Sequence, residues 1–127
     1  MTKYQGKSKK LISGGRRRSN ASKKKRELGR PPVETHIAET RKRIQRTMGG
    51  NRKFRLYREN KVNIVNIETG KATSGTISNV THNPASRDFT RRRIITKGAI
   101  IDTNLGKAKV TNRPGSEGFV NAILVTE

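Results

Sequence analysis

Residues 94–125 read IITKGAIIDTNLGKAKVTNRPGSEGFVNAILV, and this stretch decides the fold. Its apolar runs are short and β-branched, as at residues 99–101, which is typical of strands. Asn104-Leu105-Gly106 predicts a hairpin loop, because asparagine and glycine accept the backbone conformations of tight turns. Asn112-Arg113-Pro114-Gly115 predicts a second turn, and residues 119–125 form a nearly continuous apolar run. The last third of the chain is therefore predicted to be a small sheet of short strands.

The preceding residues extend the same pattern. Alternating apolar and polar residues predict strands over 33–37 and 53–58, and β-branched runs predict strands over 62–67 and 72–81. Short strands without a long helical period favour a barrel, because closing a small sheet removes its exposed edges. The predicted fold class is all-β, a small closed β-barrel with a long, extended basic N-terminal arm.

The charge of the chain points to a polyanionic partner. Among 127 residues, 30 Lys and Arg stand against 9 Asp and Glu, which gives a net charge of +21. Residues 1–60 carry 20 basic and 4 acidic residues, so their net charge of +16 leaves only +5 for residues 61–127. A free chain with this imbalance repels itself, and binding to phosphates relieves the repulsion. Nucleic acid is therefore the expected class of partner.

Residues 1–32 are predicted to be the arm, and residues 33–127 the β-barrel domain. Up to Arg30 the apolar residues are isolated and the basic clusters repel one another, so this part has little from which to build a core. Pro31-Pro32 is the best candidate for the boundary. Because hydrophobic residues make up only 29% of the chain, we expect part of it to become ordered only on its partner.

No catalytic or metal-binding pattern is recognisable in the sequence. His36 and His82 are the only histidines, neither has a carboxylate at the spacing of a metal site or triad, and cysteine is absent. Gly70-Lys71 and Gly106-Lys107 lack the first glycine and the Ser or Thr of a phosphate-binding loop. No run approaches the roughly 20 apolar residues of a membrane-spanning helix. We therefore predict no enzyme, cofactor, metal, small-molecule substrate or membrane partner.

The Lys and Arg clusters are the candidate RNA contacts. A single triplet such as Arg91-Arg92-Arg93 is more often a solvated face, but several clusters joined by glycines are hard to explain that way. The planar guanidinium of arginine binds phosphate with two hydrogen bonds. Gly49-Gly50 permits close approach to a ligand backbone, although a plain turn is an equally good local reading. The predicted RNA-binding residues are Lys7, Lys9, Lys10, Arg16, Arg17, Arg18, Lys23, Lys24, Lys25, Arg26, Arg30, Arg41, Lys42, Arg43, Asn51, Arg52, Lys53, Arg55, Tyr57, Arg58, Arg91, Arg92, Arg93 and Lys97.

Aromatic residues make up only 4% of the chain. This scarcity argues against a surface that binds single strands by stacking, which needs exposed rings on neighbouring strands. Tyr57 shares a basic strand face with Lys53 and Arg55, and it is the ring predicted to contact RNA. Phe54 and Phe119 are predicted to belong to the core.

Short glycine-containing and basic motifs run through the whole chain. In order they are Gly6-Lys7-Ser8, Ser13-Gly14-Gly15, Lys23-Lys24-Lys25-Arg26-Glu27-Leu28-Gly29-Arg30, Gly49-Gly50-Asn51-Arg52-Lys53, Asn83-Pro84-Ala85, Arg91-Arg92-Arg93-Ile94-Ile95-Thr96-Lys97-Gly98, Leu105-Gly106-Lys107-Ala108 and Arg113-Pro114-Gly115. One of these motifs would mean little. All of them, in this order and at compatible spacing, resemble the ribosomal protein S8e family in its short archaeal form.

The resemblance implies a non-enzymatic structural protein of the small ribosomal subunit. It implies a β-barrel body whose extended arm is threaded into ribosomal RNA, with other small-subunit proteins as neighbours and a ribosome-bound, cytoplasmic location. Duplex RNA would be recognised through its shape and backbone, because A-form RNA hides its base edges in a deep groove.

Two other readings remain open at the level of sequence. A chromatin-type DNA-binding protein has a similar composition. The resemblance also extends to a related branch of the family that assists assembly of the large subunit, but its members are longer, so the length of 127 residues argues against this branch. An enzyme acting on RNA is disfavoured because no acid–base pair or metal cluster is recognisable.

Overall fold

The structure is a computed structural model that describes residues 3–19 and 21–125, and it divides into two units after Pro32. In the first unit, strand β1 (Lys3–Tyr4) pairs antiparallel with β2 (Leu28–Gly29). Lys10 and Arg16 form a single antiparallel bridge across a turn in which Gly14 has a φ of 85°. Lys25–Glu27 forms one turn of 3₁₀-helix before β2.

The second unit, from Val33 onward, contains the remaining elements. They are β3 (Thr35–His36), β4 (Arg41–Arg46), a 3₁₀ turn (Met48–Gly50), β5 (Arg52–Arg58), β6 (Lys61–Val65), β7 (Ala72–His82), α1 (Arg87–Arg91), β8 (Ile94–Ile95), β9 (Ile100–Thr103), β10 (Gly106–Val110), α2 (Pro114–Glu117) and β11 (Asn121–Leu124). The predicted strands of the last two thirds of the chain thus appear close to their expected positions.

Five of these strands close into a barrel in the order β10-β11-β6-β7-β9, with β9 pairing back onto β10. All neighbours are antiparallel except β11 and β6, which run parallel. The hairpin between β9 and β10 turns at Asn104-Leu105-Gly106, where Gly106 has a φ of 121°. The prediction of an all-β, closed β-barrel is confirmed.

The barrel interior is filled by side chains that alternate with exposed ones along each strand. In β6, for example, Val62 and Ile64 are buried between exposed Lys61, Asn63 and Val65. No buried polar side-chain atom of the described residues lacks a hydrogen-bond partner. The buried apolar cluster consists of Leu56, Val62, Ile64, Ile77, Val80, Ile95, Ala99, Ile101, Ala108, Val110, Val120 and Ala122.

A second sheet, in the order β4-β5-β3-β8, carries a hairpin formed by β4 and β5. Its turn uses Gly49 and Gly50 with φ values of 72° and 76°, which agrees with the turn, one of the two interpretations that the glycine pair left open. Leu56 of β5 is fully buried in the barrel core, and its carbonyl accepts a 2.8 Å hydrogen bond from the Thr35 hydroxyl. The sheet is therefore joined to the barrel at the base of the hairpin.

The prediction that Phe54 and Phe119 belong to the core is wrong. The two side chains are 46% and 42% exposed. Phe54 lies on the same strand face as the buried Leu56 but nearer the hairpin tip. There it stands opposite Ile44, and both side chains are exposed. Period-two alternation assigns a residue to a face, but it does not tell how far the covering layer extends.

Candidate nucleic-acid interface

One face of the β4–β5 hairpin is uniformly polar and basic. Arg43 lies opposite Arg55, and Gln45 lies opposite Lys53, so these four side chains share a face, which Tyr57 extends along β5. The Arg55 Nε donates a 3.2 Å hydrogen bond to the Gln45 Oε1, which orients the guanidinium. We name these five residues the cationic face. No carboxylate of the described residues lies within 4.0 Å of its Lys and Arg side chains, so their positive charge is available to bind phosphate.

Lys42 has a different environment from that of its neighbour Arg43. Its Nζ lies 4.0 Å from Oε2 of Glu59, whose side chain is only 5% exposed. The other oxygen, Oε1, accepts a 2.6 Å hydrogen bond from the Thr40 hydroxyl and 3.3 Å bonds from the backbone N–H groups of Asn60 and Lys61. Lys42 therefore helps to neutralise a buried carboxylate at the base of the hairpin.

The arginines at the end of α1 are partly committed to ion pairs within the protein. Arg91 binds Asp88 at 2.9 Å, and Arg92 pairs with both Glu34 and Asp88. The hydrogen bond with the Glu34 carboxylate is the main cause that raises the pKa of Arg92 above the ordinary arginine value. Acidic neighbours therefore already neutralise part of the charge of these two guanidinium groups.

Arg93 stands apart from this pair. It is exposed, and it is the only described non-glycine residue with a positive φ, at 54°. Its backbone N–H donates to the Thr90 carbonyl at 3.1 Å, which closes the end of α1. A left-handed conformation disfavours residues that carry a Cβ, and glycine is the residue that usually occupies it. An arginine is therefore held here at a conformational cost, with its guanidinium unpaired among the described residues.

In the N-terminal unit, two lysines share one aromatic ring. The Nζ atoms of Lys9 and Lys23 lie 5.8 and 5.9 Å from the centroid of the Tyr4 ring. A cavity of about 500 Å³ opens beside the ring, and its lining combines five basic side chains, among them Arg17 and Arg18, with several serines and Glu27. Residues 1–32 contain 12 Lys and Arg and a single acidic residue, Glu27. This concave cluster has the charge and hydrogen-bond donors to take phosphate groups.

The comparison with known proteins identifies the family. The ribosomal protein S8e family model matches residues 4–125. The chain belongs to the ribosomal protein S8e family. Its relatives include the protein named small ribosomal subunit protein eS8 of Methanococcus aeolicus, which is 46% identical over 125 residues and 98% of each chain. The protein of the same name from Methanobrevibacter smithii is 49% identical over 121 residues, covering 95% of this chain and 97% of its own. That of Methanosarcina barkeri is 46% identical over 123 residues, covering 97% and 98%.

Membership of the S8e family confirms the resemblance drawn from the ordered motifs, and with it the prediction of a ribosomal protein that is not an enzyme. Residues 3–19 and 21–125 contain no group of three His, Cys, Asp or Glu that could hold a metal ion. In the same residues, no helix is long and apolar enough to cross a membrane.

The structure places almost all the predicted RNA-binding residues of this S8e chain on its surface; only Arg55 is half-buried. All of their Lys and Arg side chains except Lys42, Arg91 and Arg92 lack a carboxylate within 4.0 Å in the described part of the chain. The set predicted from the sequence omits two further features: the exposed Arg46, which lies opposite Arg52 near the hairpin tip, and the Tyr4 ring that two of the predicted lysines share. A prediction of strand β4 would have included Arg46. The sequence of β4, RKRIQR, contains only one apolar residue, so it shows no alternation of apolar and polar residues from which a strand could be predicted.

Proposed function

We propose that this chain is a structural constituent of the small ribosomal subunit that binds ribosomal RNA through phosphate and shape contacts. Its membership of the S8e family carries the proposal, because relatives matching nearly its whole length are named small ribosomal subunit proteins. The chain would then be ribosome-bound in the cytoplasm, with small-subunit RNA and other small-subunit proteins as partners and with no membrane or small-molecule substrate.

The unpaired cations support binding to the RNA backbone. The cationic face presents Arg43, Lys53 and Arg55 together, and the N-terminal unit clusters its basic side chains around Tyr4. Duplex RNA exposes phosphates and 2′-hydroxyls rather than readable base edges, so such a surface reads shape and not sequence. Tyr57, at 38% exposed, adds a hydroxyl donor and a ring edge to the same face.

We propose that the parts of the chain before and after the boundary at Pro32 have different roles in RNA binding. Residues 1–32 act as a basic arm that neutralises phosphates where RNA helices converge, which relieves the repulsion between those helices. Residues 33–127 form the barrel domain, which docks the cationic face and holds the arm at its site. In this way the protein would stabilise folded RNA helices during assembly of the subunit and afterwards.

A competition experiment tests the proposal. The full chain is bound to a fragment of small-subunit RNA and challenged with duplex DNA or bulk RNA at matched salt. If about ten phosphates are contacted, affinity should fall by roughly three to five powers of ten between 50 and 200 mM salt. The ribosomal fragment should remain the preferred ligand throughout. A preference for duplex DNA would instead support a chromatin-type protein, and affinity that does not respond to salt would contradict phosphate binding.

Sedimentation distinguishes a constituent of the subunit from an assembly factor. A constituent migrates with mature small subunits and leaves them only in high-salt washes. An assembly factor is found on precursor particles and is missing from mature subunits, and that result would overturn the structural role while leaving RNA binding intact.

A further inference from the structure

The face of the β4–β5 hairpin opposite the cationic face has a different chemistry. Ile44 and Phe54 lie directly opposite each other there and are 57% and 46% exposed. The next pair toward the tip on this face is Arg46 and Arg52. We name these four residues the apolar face. Two large apolar side chains placed side by side on an exposed strand pair are typical of an interaction surface rather than of scattered surface residues.

Phe54 is held in place by the backbone beneath it. A Cβ added at Gly118 would lie 2.7 Å from the Cβ of Phe54 and 3.4 Å from its Cγ, so the aromatic side chain packs directly on this glycine. Gly118 has a φ of 85° and ends α2, and α2 packs against β5. The base of the Phe54 side chain therefore rests on the backbone at the end of α2, while 46% of the residue stays exposed to a partner.

The two arginines of the apolar face have no acidic partner in the part of the chain that the structure describes. Both are exposed, and neither has a carboxylate within 4.0 Å in residues 3–19 and 21–125. Arg92 and Lys42 of the same unit show that this chain does pair its cations where an acid is near. The surface thus offers two apolar anchors and, beside them, two donors for carboxylates.

This combination fits a protein partner better than RNA. The centres of protein interfaces are enriched in aromatic side chains and arginine. A surface that stacks unpaired bases needs rings on neighbouring strands, and here the strand opposite Phe54 presents Ile44 instead. Duplex RNA presents phosphates and sugars, which gain nothing from covering an Ile–Phe pair.

We propose that the apolar face binds a segment of another small-subunit protein that contributes an apolar side chain and at least one carboxylate. This inference rests on the proposed function, since it assumes the small subunit as the setting. The apolar side chain covers Ile44 and Phe54, and the carboxylate binds Arg46 or Arg52. The hairpin then works on two sides, with RNA against the cationic face and protein against the apolar face.

Photo-crosslinking in purified small subunits tests the inference. Full-length chains carry p-benzoylphenylalanine in place of either Phe54 or Tyr57. Position 54 should crosslink to a ribosomal protein, at a peptide with an apolar and an acidic residue, whereas position 57 should crosslink to RNA. Crosslinking of position 54 to RNA, to a peptide without an acid or to nothing would overturn the inference. Failure of position 57 to reach RNA would count against the proposed function instead.

Substitutions give a second, independent readout. Ile44→Ser should leave the affinity of the free chain for an RNA fragment unchanged, but it should lower retention on subunits in a salt wash by roughly tenfold, as for an interface anchor. Ile67→Ser is the matched control, because Ile67 is an exposed isoleucine in the β6–β7 turn, and it should change neither quantity. If Ile44→Ser is retained like Ile67→Ser, the apolar face is not an interface.

Discussion

The two units of the chain are stabilised by different kinds of interaction. From Val33 onward, twelve buried apolar side chains fill a closed barrel and its strands are paired on both sides. Among residues 3–19 and 21–32, Gly29 is the only buried residue, and the structure consists of two short strands, one bridge and a 3₁₀ turn. The hydrophobic effect therefore stabilises the barrel, whereas the N-terminal unit has backbone hydrogen bonds and the lysine contacts of Tyr4, but no apolar core, to offset its charge repulsion.

The largest expected difference between the units is in amide hydrogen exchange. Barrel amides, such as those of Ile101 and Ala108, should open only with global unfolding and be protected by several powers of ten. Backbone amides of residues 3–30 should exchange almost freely in the isolated chain, because no core holds them. Addition of an RNA fragment should slow them. Strong protection of residues 3–30 without RNA would show that the N-terminal unit folds by itself, and the proposed difference in stability between the two units would then be wrong.

A core substitution should affect the barrel alone. Ile64→Ala removes a fully buried side chain and should lower the free energy of unfolding by about 2–5 kcal/mol. Its exposed neighbour on the same strand provides the control, since Val65→Ala should cost less than about 1 kcal/mol. Denaturant unfolding followed by circular dichroism measures both. Equal effects of the two variants would mean that the alternation along β6 does not define the core.

Neutralising the arm should give the reverse result. Replacing Arg16, Arg17 and Arg18 together by alanine should weaken binding to an RNA fragment roughly 10- to 100-fold and flatten its salt dependence by about one unit for each phosphate that is no longer bound. Barrel unfolding should not change. Replacing Arg91 and Arg92 by alanine is the comparison, because their charges are partly neutralised by Asp88 and Glu34, and RNA binding should fall less. If both sets weaken binding equally, internal ion pairs do not decide which cations bind RNA.

The smallest predicted effect concerns Arg93, where stability and binding should change in opposite directions. Arg93→Gly relieves the left-handed conformation and should raise barrel stability by about 0.5–1 kcal/mol, while weakening RNA binding a few-fold. Arg91→Gly, by contrast, places a glycine within α1, where glycine is unfavourable, so the free energy of unfolding should fall by about 1 kcal/mol. Thermal unfolding and salt titrations measure the two properties. An Arg93→Gly variant that binds RNA as well as the original chain would show that the strained arginine has no binding role.

The barrel could be predicted because its signal is local. Alternation in residues 62–67 predicts a strand, and Asn104-Leu105-Gly106 predicts a turn, each from neighbouring residues alone. A sheet of so few strands leaves no exposed edges only if it closes into a barrel. The strand β4 could not be predicted in the same way. Its sequence has one apolar residue, Ile44, and it is a strand because β5 pairs with it along its whole length. Tertiary pairing here overrides a polar sequence without periodicity.

The candidate site was predicted by composition, but its internal organisation was not. Every Lys and Arg in the clusters was an equal candidate in the sequence. The structure pairs Arg92 with Glu34, which lies 58 positions earlier in the chain, and Lys42 with the buried Glu59. Such partners depend on which elements meet in the fold, so no local pattern separates the neutralised cations from the free ones.

By itself, the sequence determined the family, the class of partner and the closed barrel, because charge, ordered motifs and strand alternation are properties of neighbouring residues. The tertiary structure alone decided which cations remain unpaired, why Arg93 is strained and why Phe54 lies outside the core. Each of these depends on register and on the extent of a neighbouring layer, which are set by contacts between residues that are distant in the chain.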